Sequence, residues 1–342
     1  MRPASHLSIV LSLALVGCGA PDVDATDTST ETDVPRVDRE VTQADLDRWK
    51  TELSNWGRWG PEDEKGTLNL VTPEKRRAAA SLVQDGVTVS LARDAQTEEA
   101  VDNGRPYEHE MLSVRDAASS DRIAVSFHGY AHTHLDGLAH HFLDGRMYNG
   151  FERDQFVTME DGATRGSIHN VKDGIFTRGV LVDIPLMKDV PYLEPGTPIY
   201  VEDLEAWERF SGVTIGTGDA IFIRTGRWVR RAEVGAWSPS DEAAGLHPSV
   251  IPWLRARDVA LMGSEAAIDA VPIPDAITSA DDYPPVHNFV LVALGMVLFD
   301  NCQLDALAEA AAERGRWEFL LTAAPLPMVR GTGSPINPVA VF

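Results

Sequence analysis

Histidine is concentrated in one short stretch of this 342-residue chain. Five of the ten histidines lie between residues 128 and 141, in the sequence His-Gly-Tyr-Ala-His-Thr-His-Leu-Asp-Gly-Leu-Ala-His-His. Side chains two residues apart in an extended chain point to the same face. His132, His134 and Asp136 would then share one face, and His128 and Tyr130 would join them on an unbroken strand.

Imidazole and carboxylate groups that converge on one face are suitable ligands for Zn²⁺, Mn²⁺ or Fe²⁺. No Cys lies in this stretch, and the whole chain has two. The pattern therefore indicates a nitrogen and oxygen site of the kind that keeps a position open for water. A lone His is more often a core or surface residue, but three metal-competent groups at alternate positions favour ligation.

The elements that must position these side chains alternate between helices and strands. Apolar runs and alternation predict strands at residues 87–91, 122–134, 179–184, 218–226, 259–262 and 317–323. Capping signals and periodicity predict helices from Pro73, with Thr72 as the cap, and at 201–210, 249–257 and 304–314, while 287–298 fits either element. The fold class is therefore α/β or α+β with a mixed sheet.

Composition excludes several classes of protein. The chain has 52 acidic and 30 basic residues, a net charge of -22, and 44% hydrophobic residues. An acidic chain lacks the basic stripe that tracks phosphates, so nucleic acid is not an expected partner. No glycine-rich phosphate loop follows a predicted strand, so nucleotide binding has no support.

The first residues resemble an export signal. A short apolar run from Leu7 to Gly17 is too short to span a bilayer and is typical of a secretory signal. The ending Leu-Val-Gly before Cys18 resembles the bacterial lipobox, which implies a lipidated Cys18; an ordinary cleaved signal is the alternative. Residues 1–18 are thus predicted to be a lipoprotein signal, and the protein an exported, membrane-anchored lipoprotein, with the outer membrane or cell surface favoured because Gly19 is not Asp.

The segment after the signal is acidic. Residues 19–47 hold nine acidic residues against two arginines and no aromatic residue. Such a composition predicts a disordered tether, because it cannot bury enough apolar surface to offset the entropy of ordering. The globular domain is then predicted to span residues 48–342, with the membrane contacted only through the lipid anchor.

The segment from Thr133 to His140 resembles the Thr-His-x-Asp-x-Pro-x-His core of the metal-dependent cyclase family, which includes bacterial kynurenine formamidase (arylformamidase) and isatin hydrolase. Further segments resemble signatures of a long subgroup of that family: residues 56–60, 66–69, 145–150, 224–226 and 333–338. Together they cover the chain from about residue 53 to its C-terminus. The resemblance implies a swivelling β/β/α domain that forms a homodimer.

The resemblance also implies roles for individual residues. His134 and Asp136 would be metal ligands, and His140 the catalytic acid/base. His287 and Asp300 resemble the distal His and Glu ligands of the family; a core histidine and a turn or capping Asp are the alternatives.

The chain departs from the family pattern at three places. Tyr130 stands where the family has its first His ligand, His132 occupies a Gly position, and Leu138 replaces the Pro. Either His132 or His128 replaces the missing ligand, or the site holds one ion where relatives hold two.

These residues predict a metal-dependent hydrolase that uses Zn or Mn, as one or two ions. Metal-activated water would attack an amide, formamide or lactam carbonyl, and His140, titrating near neutrality, would move the proton. Trp59 and Tyr130 are candidate contacts for an aromatic small-molecule substrate, and Arg224 either binds a substrate carboxylate or forms a structural ion pair.

Two other readings of the same residues stay open. They are a cyclase or dehydratase that acts on a small carbonyl substrate, and a non-catalytic solute-binding surface lipoprotein. Kynurenine formamidase belongs to tryptophan catabolism, but that role is usually cytoplasmic. An exported relative is expected to meet an environmental substrate instead.

Overall fold

The computed structural model describes residues 39–342. Within this range the α-helices are α1 (Gln43–Glu52), α2 (Pro73–Ala80), α3 (Arg153–Phe156), α4 (Ile184–Lys188), α5 (Val201–Ser211), α6 (Arg227–Val234), α7 (Ile251–Ala256), α8 (Pro285–Phe289) and α9 (Asp305–Arg314). The strands are β1 (Thr88–Ser90), β2 (Glu108–Val114), β3 (Ser119–Ala124), β4 (His134–Asp136), β5 (Val157–Thr158), β6 (Gly162–Ala163), β7 (Ile175–Asp183), β8 (Pro198–Ile199), β9 (Ala220–Arg224), β10 (Gly245–Leu246), β11 (Leu261–Ser264), β12 (Val297–Asp300), β13 (Glu318–Ala323), β14 (Gly333–Pro335) and β15 (Val339–Val341).

A nine-stranded mixed sheet forms the centre of the domain. Its strand order is β1-β15-β13-β7-β9-β11-β12-β4-β14. The four central strands β7, β9, β11 and β12 are parallel, whereas β4 and β14 on one side and β13, β15 and β1 on the other are antiparallel. The sheet is therefore mixed, as the interleaved helices and strands predicted.

The central strands are buried along nearly their whole length. Residues 179–183, 220–223, 261–264 and 297–300 are all buried. Parallel strands covered on both faces need apolar side chains at consecutive positions. This burial explains why these segments were visible in the sequence as short continuous apolar runs.

One apolar run divides into two elements. The ambiguous segment 287–298 begins as helix α8, continues as a π-helical turn at Val290–Leu294 and then becomes strand β12. Gly295 makes the transition with a φ of 69°, and a Cβ at this position would lie 2.3 Å from the Tyr148 ring. A residue without a side chain is therefore required where the chain turns into β12.

The strand predicted at 122–134 is wrong. Strand β3 ends at Ala124 and pairs only with β2, in an exposed two-stranded hairpin where Ile123 is 65% exposed. Residues 125–133 form no strand, and β4 begins at His134. The alternation of apolar residues is compatible with a strand, but a strand also needs a neighbour, and the ladder with β2 ends at the pair of Ala124 and Glu108.

The predicted boundary of the tether also needs correction. Helix α1 begins at Gln43, Thr42 and Asp45 form a capping box, and Val41 and Leu46 are each 1% exposed. The packed domain therefore starts before residue 48, because Asp45 caps a helix instead of adding to a solvated acidic segment.

The predictions for the N-terminus fall outside the structure. The signal at 1–18, with Cys18, and residues 19–38 of the tether lie outside the described residues. Between residues 39 and 342, no helix has both the length and the apolar character needed to cross a bilayer.

Candidate metal centre

Two antiparallel strands bring three of the predicted ligands together. His134 and Asp136 lie two residues apart on β4, so their side chains share a face. Asp300, the last residue of β12, is directly paired with His134. Side chains of directly paired residues lie on the same face of a sheet, so Asp300 joins the other two. The register thus places Asp300 beside His134, which lies 166 positions earlier in the chain.

His287 enters the cluster from helix α8. The Asp269 carboxylate accepts hydrogen bonds from the backbone N–H groups of Val286 (2.7 Å) and His287 (2.9 Å) at the start of this helix. The His287 side chain is buried, and its Nε2 lies 3.2 Å from Asp136 Oδ2 and 3.3 Å from Asp300 Oδ2. The helix therefore carries the fourth predicted ligand to the two carboxylates.

Asp136 is the centre of the cluster. Its Oδ1 lies 3.0 Å from His128 Nδ1, 3.3 Å from His134 Nε2 and 3.8 Å from His140 Nε2. With His287, four imidazole rings surround one carboxylate that is 0% exposed.

The approaches to Asp136 do not form hydrogen bonds, whereas His287 Nε2 and Asp300 Oδ2 do, at 3.3 Å. Within residues 39–342, neither oxygen of Asp136 accepts a hydrogen bond of acceptable geometry, and His128 Nδ1 and Asp300 Oδ1 are also buried without one. Buried polar atoms in native proteins are nearly always hydrogen-bonded. A group of unpaired nitrogen and oxygen atoms that all face one another has the composition and placement expected of a metal site, so the residues present fit a divalent ion.

The donor atoms divide into two groups of three that share Asp136. One group contains His128, Asp136 and His140, and the other contains His134, Asp136 and Asp300; within each group the ligand atoms lie within 4.8 Å of one another. Because Asp136 belongs to both groups, these residues would hold either one ion or two. The predicted ligands His134, Asp136, His287 and Asp300 all lie in this cluster.

Burial and the charges of the cluster shift the pKa values of its histidines in opposite directions. Burial by itself would lower the pKa of His287, but the carboxylates of Asp300 and Asp136 outweigh it and raise that pKa to about 10. Burial lowers the pKa of His140 to about 4, with partial opposition from Asp136. His140 is therefore neutral at pH 7 and does not titrate near neutrality as the sequence suggested.

Of the two candidates for the missing ligand, His128 lies at the cluster and His132 does not. His132 Nε2 lies 2.8 Å from the carbonyl oxygen of Arg105, and its ring packs against Tyr107. The prediction that His132 shares a face with His134 is wrong because residues 125–133 are not a strand. The His128 ring stacks instead on the His140 ring, with 3.7 Å between centroids.

His141 also lies beside the cluster, although no motif in the sequence singles it out. Its ring centroid is 4.4 Å from that of His140 and 4.6 Å from that of His287. Burial lowers the pKa of His141 to about 2, so this ring is neutral. Only its position next to His140 could have suggested this placement.

Asn301 and Arg227 hold the irregular segment that carries His128 and leads to His134. Asn301 Nδ2 donates to the carbonyl oxygens of Gly129 (2.7 Å) and His132 (3.1 Å). Arg227 donates to the carbonyl oxygen of Tyr130 (2.6 Å) and to Asn301 Oδ1 (2.9 Å). Sequence reasoning missed both residues, although Asn301 follows Asp300 and Arg227 follows the 224–226 signature.

The three candidate substrate contacts have different surroundings. Burial, together with Tyr283 and the carboxylates of Asp300 and Asp269, raises the pKa of Tyr130 to about 12, so this phenol lies within electrostatic reach of the cluster. The Arg224 guanidinium lies 3.0 Å from Asp183 and 2.9 Å from Asp305, which is the structural ion pair that the sequence left as its alternative role.

Trp59 lies towards the other edge of the sheet. It stacks on Arg58, which binds Asp258 at 2.7 Å. Asp258 lies just before the start of β11, whereas Asp300 is the last residue of β12, and the two strands are parallel. The two residues therefore lie at opposite ends of these strands. The position of Trp59 therefore gives no support to a role in substrate contact.

Comparisons with known proteins agree with this fold. The putative cyclase family matches residues 79–270, a range that contains His134, Asp136 and His140. A crystal structure described as a novel cyclase superposes with a TM-score of 0.75 at 31% identity, and covers 86% of this chain and 99% of that one. The chain belongs to the putative cyclase family, and the predicted cyclase-like mixed α/β fold is confirmed.

More distant structures share the fold alone. Isatin hydrolase A from Labrenzia aggregata, bound to benzyl benzoate, has a TM-score of 0.52 at 19% identity and covers 77% of this chain and 94% of that one. Isatin hydrolase A from Ralstonia solanacearum gives the same TM-score and identity, with 79% and 98% covered. A search of curated proteins found no match.

Proposed function

We propose that this protein is a metal-dependent hydrolase that cleaves the C–N bond of an amide, formamide or lactam, with a small molecule as substrate. The observation that carries the proposal is the fully buried Asp136, whose oxygens lie among four imidazoles and accept no hydrogen bond within residues 39–342. A core that was only structural would satisfy such a carboxylate, because an unpaired buried charge is costly.

The chemistry of the donor set supports hydrolysis. His134, Asp136, His287 and Asp300 would hold the metal, with His128 as a further ligand. When bound, a divalent ion lowers the pKa of water and polarises a carbonyl oxygen. The His134 ring is oriented for this role, because its Nδ1–H donates to the carbonyl oxygen of His132 at 2.8 Å and leaves Nε2 directed towards Asp136.

His140 is the proposed acid/base. Its ring is neutral at pH 7, since burial lowers its pKa to about 4, so Nε2 is available to accept a proton from the attacking water. Of the three imidazole nitrogens near Asp136 Oδ1, that of His140 is the farthest, at 3.8 Å. The resulting imidazolium would then donate the proton to the leaving nitrogen. The Thr133 hydroxyl lies next to His134 in the chain, but it is not free to donate to the oxyanion of the reaction. It already donates to the Asn301 carbonyl oxygen at 2.7 Å.

A cavity next to the cluster supports a compact aromatic substrate. It has a volume of about 370 Å³ and is lined by His128, by the aromatic residues Phe127 and Tyr130 and by several polar residues, and His128 is the one proposed ligand in its lining. Its volume is within the usual range for small-molecule sites. Isatin hydrolase, which shares the fold, is named for a cyclic aromatic amide, and this supports lactams and aryl amides as the first compounds to test.

The experiment is metal analysis of the purified protein together with hydrolysis assays. The panel would contain N-formylkynurenine, aryl amides and aromatic lactams. We expect stoichiometric metal and a turnover that a chelator removes and that Zn²⁺ or Mn²⁺ restores. A folded protein that binds neither ion would contradict the proposal. Bound metal without turnover on any compound would favour a solute-binding protein.

A variant of His140 separates catalysis from binding. His140→Ala should abolish turnover while the protein keeps at least one bound ion. His109→Ala is the matched control, because His109 lies on the exposed hairpin and pairs with Asp121. Turnover that is unchanged in His140→Ala would remove the assigned role from this residue.

We also propose that the protein is exported and anchored through lipid on Cys18, and that it forms a homodimer. The lipobox-like ending before Cys18 supports the first point, and the family resemblance supports the second. Metabolic labelling with a fatty acid should mark the native chain and leave Cys18→Ala unlabelled. Sedimentation of the purified protein would test the dimer.

A further inference from the structure

Arg93 differs from the other buried or half-buried Lys and Arg residues of the range 39–342, because it lacks an acidic partner there. Every other Lys or Arg in this range that is not exposed has an acidic partner: Lys50, Lys75, Arg165, Arg178, Arg224, Arg227, Arg230, Arg231, Arg255, Arg257, Arg314 and Arg316. The guanidinium of Arg93 forms no ion pair and no hydrogen bond within these residues, and its Nε is buried without a partner. Since the chain has 52 acidic residues, carboxylates are not in short supply.

Arg93 lines a cavity that is distinct from the metal cluster. This cavity has a volume of about 470 Å³, and its lining includes Tyr107, His132 and Asn337 beside Arg93, but none of the proposed metal ligands. Apolar side chains complete the wall: Ala92, Ala95, Leu326, Pro335 and Ile336. The size and the mixed lining are typical of a site for a small molecule.

Several polar groups on this wall are unused. Within the described residues, the Tyr107 hydroxyl makes no hydrogen bond, and His132 Nδ1 is buried without a partner although His132 is only 4% exposed. Asn337 Oδ1 accepts from Ser90 at 2.6 Å, which leaves the Asn337 amide N–H groups as donors. Because His132 Nε2 donates to the Arg105 carbonyl oxygen, Nδ1 of this neutral ring is an acceptor. The donors available to an anion are therefore the Arg93 guanidinium, the Tyr107 hydroxyl and the Asn337 amide.

The guanidinium is held in place before any ligand binds. Its carbon lies 3.7 Å from the centre of the Trp228 ring, which is a close cation–π contact. The backbone N–H of Arg93 donates to Thr133 Oγ1 at 3.0 Å. A fixed, planar guanidinium matches the two oxygens of a carboxylate, and little entropy is lost when they bind.

We propose that this cavity binds a small organic carboxylate. Arg93 would pair with the carboxylate oxygens, Tyr107 and Asn337 would donate further hydrogen bonds, and the apolar wall would contact the body of the ligand. Arg93 is the one Lys or Arg in the lining, and Asp94 also lies there. A monoanion therefore suits the site better than the dianion of a phosphate group. This inference does not depend on the proposed hydrolase activity.

The test uses metal-free protein, so that the probe cannot bind to a metal ion. Binding of 4-fluorobenzoate would be followed by ¹⁹F NMR, and we expect saturable binding that Arg93→Gln weakens by about tenfold or more. Tyr107→Phe removes one donor and should weaken binding by a smaller factor, about threefold. Arg76→Gln is the matched control, because Arg76 is exposed and lines a different cavity.

Two competitors and one further variant complete the test. The neutral isostere 4-fluorobenzamide should not displace the probe, and phosphate should displace it poorly. His134→Ala should bind the probe normally, which keeps this result separate from the fate of the metal site. Equal binding by Arg93→Gln, provided that its thermal unfolding shows a folded protein, would overturn the proposal. Equal binding of the amide, effective displacement by phosphate, or no binding at millimolar probe would also overturn it.

Discussion

Asp136 and Asp219 are both 0% exposed, yet their surroundings are opposite. Asp219 receives hydrogen bonds from Arg178 Nε (2.8 Å) and Nη2 (2.5 Å), from the Gly216 N–H (2.8 Å) and from the Lys75 ammonium. Asp136 lies among four imidazoles and accepts no hydrogen bond of acceptable geometry from the part of the chain that the structure describes.

The difference separates a structural carboxylate from a candidate ligand. The charge of Asp219 is balanced by cations of this chain, so its pairing contributes to the fold and needs no external group. Asp136 has neighbours that are themselves metal ligands by type, and a metal ion is the cation that would balance it. Burial alone does not distinguish the two residues; the chemistry of their partners does.

The largest effect should come from Asp136→Asn. We expect the loss of bound metal and a fall in turnover of about a thousandfold or more, because a neutral amide cannot replace the carboxylate shared by both groups of ligands. Metal content, measured by mass spectrometry, and the hydrolysis assay would check this. Normal metal content in Asp136→Asn would show that Asp136 is not a ligand, and the contrast with Asp219 would fail.

Asp219→Asn should have the reverse profile. It leaves Arg178 and Lys75 without their carboxylate, and such a loss typically costs about 3–5 kcal/mol of stability. Denaturant unfolding would measure it, and the folded fraction should bind metal normally. If Asp136→Asn lowered the free energy of unfolding of the metal-free protein as much as Asp219→Asn does, both carboxylates would be structural.

Glu265 is intermediate between Asp219 and Asp136, because one of its carboxylate oxygens is hydrogen-bonded and the other is not. It is buried, and Oε2 accepts hydrogen bonds from the N–H groups of Thr225 (2.8 Å) and Gly226 (2.7 Å), while Oε1 has no partner among the described residues. Burial, with the charge of Asp305, raises its pKa from 4.5 to about 7. Because the folded pKa is raised, the stability that the protonated form contributes is full below about pH 4.5 and is lost as the pH rises to about 7.

The matching variant is Glu265→Gln. It should remove this pH dependence, so that the wild type loses up to about 3 kcal/mol relative to the variant between pH 4.5 and 7. Unfolding of both proteins across this range measures the difference. A constant difference would mean that Glu265 does not titrate there.

The smallest effect should come from Asn301→Ala. This change removes the donors that hold the carbonyl oxygens of Gly129 and His132, so the His128 and His134 rings become less well fixed. Loss of such outer contacts typically weakens metal affinity by about 10- to 100-fold. Calorimetric titration with Zn²⁺ would measure it, with Arg178→Lys as a control at the Asp219 network. An unchanged affinity would assign Asn301 to folding alone.

Most regular elements could be predicted because local signals specify them. Thr72 and Pro73 define the start of α2, and the continuous apolar run at 220–223 marks a central strand. The segment 122–134 could not be predicted in this way, because alternation does not reveal whether a partner strand is present. The π turn and Gly295 likewise interrupt an apolar run whose composition fits either element.

The sequence by itself determined that His134 and Asp136, two residues apart in an extended segment, share one face. The resemblance to the cyclase family, carried by the same short segment, added His140 as the acid/base. Only the tertiary structure decided which of His128 and His132 lies at the cluster, and that Asn301 and Arg227 hold the segment between them. It also decided that Arg93 has no acidic partner among residues 39–342. These facts depend on contacts between distant parts of the chain, and the pairing of strands and the packing of side chains, not local spacing, determine such contacts.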